Sequence, residues 1–262
     1  MMRIHHLNCG SLDPPGEPMV CHVLLLEVDS RLVLVDTGFG TADVADPRRL
    51  GAIRHLTRPA LRAEETAWAQ LWARGLDPRD VRDIVLTHGD LDHAGGIGDF
   101  PGARVHLLAA ERDAALRPRG SRERMRYRAV HWEHTSRLIG HRPGSGSWHG
   151  LEGLVELDEV APGMMLVPLP GHTAGHAGIA LPVGGGWLLH AGDAFHSTAA
   201  LTTGRNHPGV QLRQAVLAQH PTALRRTQRR LSALASQGGV GILNSHDRAL
   251  LELCQEEGPY PD

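Results

Sequence analysis

One decapeptide limits the fold more than any other part of this chain: Thr87-His88-Gly89-Asp90-Leu91-Asp92-His93-Ala94-Gly95-Gly96. Its pattern, H-x-D-x-D-H, opens where the apolar run 83–87 (DIVLT) ends and closes on two glycines. An apolar run of that length reads as a short buried strand. A strand end opening into a Gly-flanked loop can turn several short side chains towards one point. Carboxylates a few ångström apart repel and shift one another's pKa, and a divalent cation removes that penalty. Imidazole and carboxylate donors together suit zinc, iron or manganese. Taken alone, the stretch also fits a solvated polar loop, so the rest of the chain has to decide.

Three later segments repeat the arrangement. Pro170-Gly171-His172-Thr173-Ala174-Gly175-His176 follows a predicted strand at 164–168. Ala191-Gly192-Asp193 follows one at 187–190, and Ser245-His246-Asp247 follows one at 239–244. Open α/β sheets place their sites just past the carboxyl ends of strands. Further strands are predicted at 20–28 and 31–35, a hairpin ending in Asp36-Thr37-Gly38, and at 104–108 and 179–183. Helical spacing of apolar residues predicts helices over 59–74 and 211–234. The segment 140–150 (GHRPGSGSWHG) reads as a loop. Helices falling between groups of strands indicate a layered α/β architecture, and with no repeat or low-complexity linker the expectation is one domain over 1–262.

Composition narrows the chemistry. All 27 cations are arginine, which excludes mechanisms that need a lysine, such as Schiff bases and phosphate-loop lysines. Histidine, the commonest metal ligand, occurs 18 times. No run approaches the roughly 18 apolar residues of a membrane span, and no signal-peptide apolar region opens the chain. Cys9, Cys21 and Cys254 are too few and scattered for a disulfide framework, so the expected compartment is the cytoplasm.

In order, H-x-D-x-D-H, G-H-T-x-G-H, G-D and S-H, with D-T-G near the start, resemble the metallo-β-lactamase superfamily of binuclear hydrolases, most closely its lactonase-like and glyoxalase II-like members. The resemblance covers nearly the whole chain. It implies an αββα sandwich of two mixed sheets flanked by helices. It also implies two divalent metal ions, zinc foremost: His88, Asp90 and His172 would hold the first, Asp92, His93 and His246 the second, and Asp193 would bridge them. A hydroxide shared by the metals would then attack an ester-like carbonyl, most readily that of a small lactone, with Asp92 shuttling the proton.

The chain departs from the family at two positions. Asp90 stands where the family usually has a second histidine, which hardens the site and makes manganese or iron plausible beside zinc. His196 stands three residues after the bridging aspartate, where acyl-homoserine lactonases carry a tyrosine; it could protonate the leaving alkoxide or serve only as a loop residue. A glyoxalase II-type thioester hydrolase and a catalytically weak ligand-binding pseudoenzyme on the same fold are the competing readings.

Other residues have blander readings. His176 is expected to pack or orient rather than ligate, His22 and His190 to be core histidines, and His5 and His6 to be surface or edge-strand residues. The stretch 117–142 carries eight arginines against two glutamates, with Tyr127, His131, Trp132 and His134. It could wall a pocket for a carboxylate- or phosphate-bearing small molecule, contact nucleic acid, or be a solvated helix face or a homodimer contact. An overall net charge of −2 argues against nucleic acid.

Overall fold

A computed structural model describes residues 2–14, 17–133, 137–203 and 208–256; His134 lies outside the described residues. The first sheet has the order β1 (Met2–Leu12), β2 (Met19–Val28), β3 (Arg31–Val35), β4 (Val81–Val85), β5 (Arg104–Leu108), β6 (Leu138–His141). Two short strands, β7 (Ser147–Trp148) and β8 (Leu151–Glu152), pair with each other. The second sheet follows with β9 (Val155–Glu156), β10 (Met165–Pro168), β11 (Ala177–Val183), β12 (Gly186–His190) and β13 (Val240–Leu243), arranged β13-β12-β11-β10-β9. Both sheets are mixed. The first is antiparallel through β3 and parallel from β3 to β6, and in the second only β12 and β13 run parallel.

The near-continuous apolar run of β2 follows from burial on both faces. Leu24 and Leu26, with Val33, Val35 and Val85, turn inward against Leu166, Ile179, Leu181 and Leu188 of the other sheet. Val23 and Leu25, with Leu34, Ile84 and Leu107, face outward onto Leu71, Tyr127 and Trp132. Leu231 and Leu234 of the helix Pro221–Gln237 cover the outer face of the second sheet at Val167, Ala180 and Leu189. Each such leucine contributes roughly 1.5–3 kcal/mol when fully buried. Helix, sheet, sheet and helix therefore stack as the expected αββα sandwich.

The expected strands form within a residue or two of their predicted bounds, whereas the helices differ. The helix predicted over 59–74 is confined to Ala67–Ala73. Pro59 bridges to Leu12, Leu61 adopts a left-handed φ of 50°, and Thr66 starts the helix by accepting a hydrogen bond from the Ala69 N–H at 3.2 Å. The helix predicted over 211–234 is two helices, Pro208–Leu217 and Pro221–Gln237. Pro221 has no N–H and suits a first helical position, so the chain breaks before it. The segment 140–150 is not all loop, since it contains the end of β6 and all of β7. β1, an edge strand with polar His5 and His6, has no apolar run to announce it.

Candidate metal centre

The site is assembled from the carboxyl ends of strands in both sheets. After β4, Thr87 and His88 lead into a single helical turn, Leu91–Ala94, that carries Asp92 and His93, with Asp90 at its start. His172 lies in the loop after β10, Asp193 in the turn after β12, and His246 after β13. The break between the helices Pro208–Leu217 and Pro221–Gln237 helps to hold His172. Gln219 N–H donates to the His172 carbonyl and His220 N–H to that of Gly171, both at 2.9 Å.

All seven expected ligand residues come together. One group joins His88, Asp90, His172 and Asp193, another Asp92, His93 and His246, with donor atoms within 4.8 Å of one another in each. In the first, His172 Nε2 is 3.0 Å and His88 Nε2 3.4 Å from Asp90 Oδ2, while His172 Nε2 lies 3.5 Å from Asp193 Oδ2. On the other side, Asp193 Oδ1 is 3.3 Å from His93 Nε2 and 3.1 Å from His246 Nε2. His246 Nε2 is 3.7 Å from Asp92 Oδ2. The Asp193 carboxylate thus sits between the groups, Oδ2 towards His172, Oδ1 towards His93, and His246 Nε2 3.1 and 3.2 Å from the two oxygens.

Several imidazoles are fixed from behind. His246 Nδ1 donates to the Val20 carbonyl at 2.8 Å, and His93 Nδ1 donates to Asp36 Oδ2 at 2.8 Å. With Nδ1 committed to these acceptors, Nε2 faces the cluster; Asp193 raises the pKa of both His93 and His246 against the effect of burial, so a cation bound there would displace a proton from Nε2. Asp36 also accepts from Thr87, N–H at 2.7 Å and Oγ1 at 2.8 Å, so the D-T-G turn braces the strand end that carries His88. Glu111, fully buried, accepts from Gly89 N–H, Tyr127 Oη and Thr173 Oγ1 and ties two ligand loops together. His176 accepts from the Asp193 N–H at 3.0 Å and donates to the Leu169 carbonyl, an orienting position as expected. His22 and His190 are buried, with His190 donating to the His22 carbonyl.

The electrostatics match a cation-binding cluster. Burial alone would raise the Asp193 and Asp90 pKa values, yet both lie well below the usual carboxylate range, Asp193 through His246 and His93 and Asp90 through Arg126 and His88. Burial, with Arg126 nearby, lowers His172 to about 4, leaving it neutral near pH 7. His88 Nε2, His93 Nε2, Asp90 Oδ1 and Asp193 Oδ1 are buried without a hydrogen-bond partner among the described residues. Converging lone pairs of this kind are costly unless a cation satisfies them, so the residues present fit a divalent metal pair.

A cavity of about 200 Å³ opens beside the cluster, walled by Leu12, Met19, Phe39, Leu50, Ile53 and Leu91. Asp92 and His196 both line it, and His196 Nε2 lies 3.3 Å from Asp193 Oδ2. Leu56, Met125 and Val216, each at least 44% exposed, form its rim. Most of the arginine-rich stretch is a solvated face, as one expectation had it. Arg126 is different: it reaches the cluster through Asp90, and no local sequence signal distinguishes it from its neighbours.

The family model described as the metallo-beta-lactamase superfamily matches residues 16–233. A Mycobacterium tuberculosis protein named "Probable metallo-hydrolase Rv2300c" is 43% identical over 257 residues, 98% of this chain and 80% of that relative. The N-acyl homoserine lactonase AttM of Azorhizobium caulinodans is 29% identical over 82% of this chain and 76% of its own. Among solved structures, an N-acyl homoserine lactone hydrolase with N-hexanoyl-L-homoserine bound at its catalytic metal centre superposes with a TM-score of 0.70. It is 20% identical and covers 96% of each chain.

Proposed function

The chain belongs to the metallo-beta-lactamase superfamily, a metal-dependent hydrolase family, and on that premise we propose that it is a binuclear hydrolase of a small ester-like substrate, most readily a lactone. The observation that carries this reading is the Asp193 carboxylate between the two groups, with Oδ2 towards His172, Oδ1 towards His93, and His246 facing both oxygens. His88, Asp90 and His172 would hold one cation, Asp92, His93 and His246 the other, and Asp193 both. A pair of divalent cations, zinc foremost and manganese or iron also suited to the anionic Asp90, would supply a Lewis acid for the carbonyl and lower the pKa of a water.

The protein's own groups do the rest. Apolar cavity walls exclude bulk water and strengthen each electrostatic contact. Asp92, with its side chain 20% exposed to the cavity side of the cluster, holds the proton released during attack. His196 is buried against Asp193, and burial lowers its pKa, so as a neutral imidazole it donates a hydrogen bond to the leaving oxygen while the proton held by Asp92 passes to that oxygen. Two named lactonase relatives favour a lactone over a thioester. The three cysteines are buried thiols, in keeping with a reducing, cytoplasmic setting.

The test is metal content by mass spectrometry on protein purified without added metal or a histidine tag, followed by a lactone and thioester panel. Two metals per chain, with turnover that Asp193→Asn abolishes, are expected. One metal or none after reconstitution with zinc, manganese and iron would overturn the binuclear reading, and two metals with no turnover would favour a ligand-binding pseudoenzyme.

A further inference from the structure

Six charged side chains line the cavity among the described residues: Asp90, Asp92 and Asp193 against Arg122, Arg126 and Arg213. All three carboxylates belong to the metal cluster. The guanidiniums have separate fates. Arg126 is committed to Asp90 Oδ2 at 3.0 Å and to the Leu217 carbonyl, while Arg122 is exposed at the mouth. Arg213, from the helix Pro208–Leu217, lines the cavity with no carboxylate in ion-pair range among the described residues. Its Nε and Nη1 are buried and lack a hydrogen-bond partner.

Arg213 is half-buried, and two guanidinium nitrogens held out of water without a partner are costly; this burial lowers its pKa, with only Asp193 and Glu17 opposing at longer range. With Arg126 spent on Asp90 and Arg122 in solvent, Arg213 is the positive charge left uncompensated between apolar walls, where its field is focused rather than screened. An uncharged substrate would leave that potential uncompensated.

We propose that the substrate is an ester or lactone whose non-reacting part carries an anionic oxygen group, a carboxylate or a phosphate, held in this cavity by the Arg213 guanidinium. The proposal rests on the hydrolase reading above. A guanidinium fork suits either group, and its charge-assisted hydrogen bonds are of the strong kind. The apolar walls at Leu12, Met19 and Phe39 then take the remainder of the molecule.

The experiment uses the metal-loaded protein and three lactones of matched size, their side chains ending in a carboxylate, a phosphate or a neutral primary amide. The expected result is a kcat/KM ratio of anionic to neutral substrate that favours the anion at least about ten-fold, and that Arg213→Gln collapses about ten- to hundred-fold with metal content unchanged. The carboxylate and phosphate arms decide which group is preferred. A preference for the neutral lactone, or a ratio that Arg213→Gln leaves unchanged, overturns the proposal. Thermal shifts with octanoate and octanamide supply a second readout. If none of the lactones is turned over, the hydrolase reading fails and this readout alone decides. Stabilisation specific to octanoate that Arg213→Gln removes upholds the anion site; stabilisation that survives the substitution, or none, rejects it.

Discussion

Arg126 neutralises Asp90: Nη1 lies 3.0 Å from Oδ2, and the two side chains are only 10% and 16% exposed. Where the family usually places a neutral imidazole, this chain has a carboxylate and, from a helix 36 residues on, the cation that cancels it. Arg126→Met should cost about 2 kcal/mol in metal-stripped protein, modest for a buried pair because both groups keep some solvent. That corresponds to a fall of about 5 °C in Tm. In loaded protein the cations also compensate Asp90, so the fall should be less than half as large. Adding Asp90→His to Arg126→Met should recover the loss in stripped protein. Calorimetry with and without chelator checks this, and a fall indifferent to metal would separate the pair from the cluster.

Asp36 adopts a left-handed φ of 59°, a conformation that aspartate and asparagine tolerate better than most residues. Asp36→Asn therefore keeps the backbone and removes the charge that holds His93 Nδ1 at 2.8 Å. Such supporting carboxylates affect metal affinity by about 10–100-fold when replaced. On the proposed two-metal reading, the expected outcome is a loss of that size at the metal that His93 and His246 would hold, with the one that His88 and His172 would hold retained. A chelator titration showing equal weakening of both metals, or none, would contradict it.

The candidate ligand residues stand out in the sequence because they lie at polar ends of apolar strands. His88, His172 and Asp193 each adjoin a glycine there, His246 lies between Ser245 and Asp247, and tertiary packing brings the four ends together. Arg126 and Arg213 lie at no such end. An arginine among arginines shows no local sign of pointing inward, and only the folded neighbours Asp90 and Leu217 distinguish Arg126. Pro221 did signal the break between the C-terminal helices, but apolar periodicity continues across it. Leu61 gave no warning of its positive φ. Periodicity reports which face is buried and is blind to where a backbone must turn.

Gly175 lies against the buried brace at Glu111. A Cβ there would stand 2.2 Å from the Glu111 backbone nitrogen and 2.7 Å from its Cα, atoms that cannot swing aside. Gly175→Ala should destabilise the protein by about 2–3 kcal/mol, the scale of core overpacking. Because the displaced loop carries His172 and Thr173, occupancy of the metal that His172 is proposed to hold should fall with it. Gly98→Ala, in open space, is the control and should change Tm little. Equal melting of the two variants would show that the loop yields without strain.

Asp83 links the parallel strands β4 and β5, accepting from Arg104 Nε at 2.7 Å, Arg104 Nη2 at 3.0 Å and His106 Nε2 at 3.0 Å. Burial would raise its pKa, but His106 and Arg104 hold it below the ordinary value of 3.8. A carboxyl group depressed in the folded state stabilises the fold fully above its unfolded pKa and loses that contribution as pH falls through the folded value. Asp83→Asn should therefore cost about 2 kcal/mol at pH 7, on the scale of hydrogen bonds to a charged group. The gap between variant and wild type should narrow below about pH 4, where the unfolded carboxylate starts to take up its proton. Urea unfolding at pH 7, 5, 4 and 3 checks the sign, and a gap that widened on acidification would mean that Asp83 is protonated in the fold rather than charged.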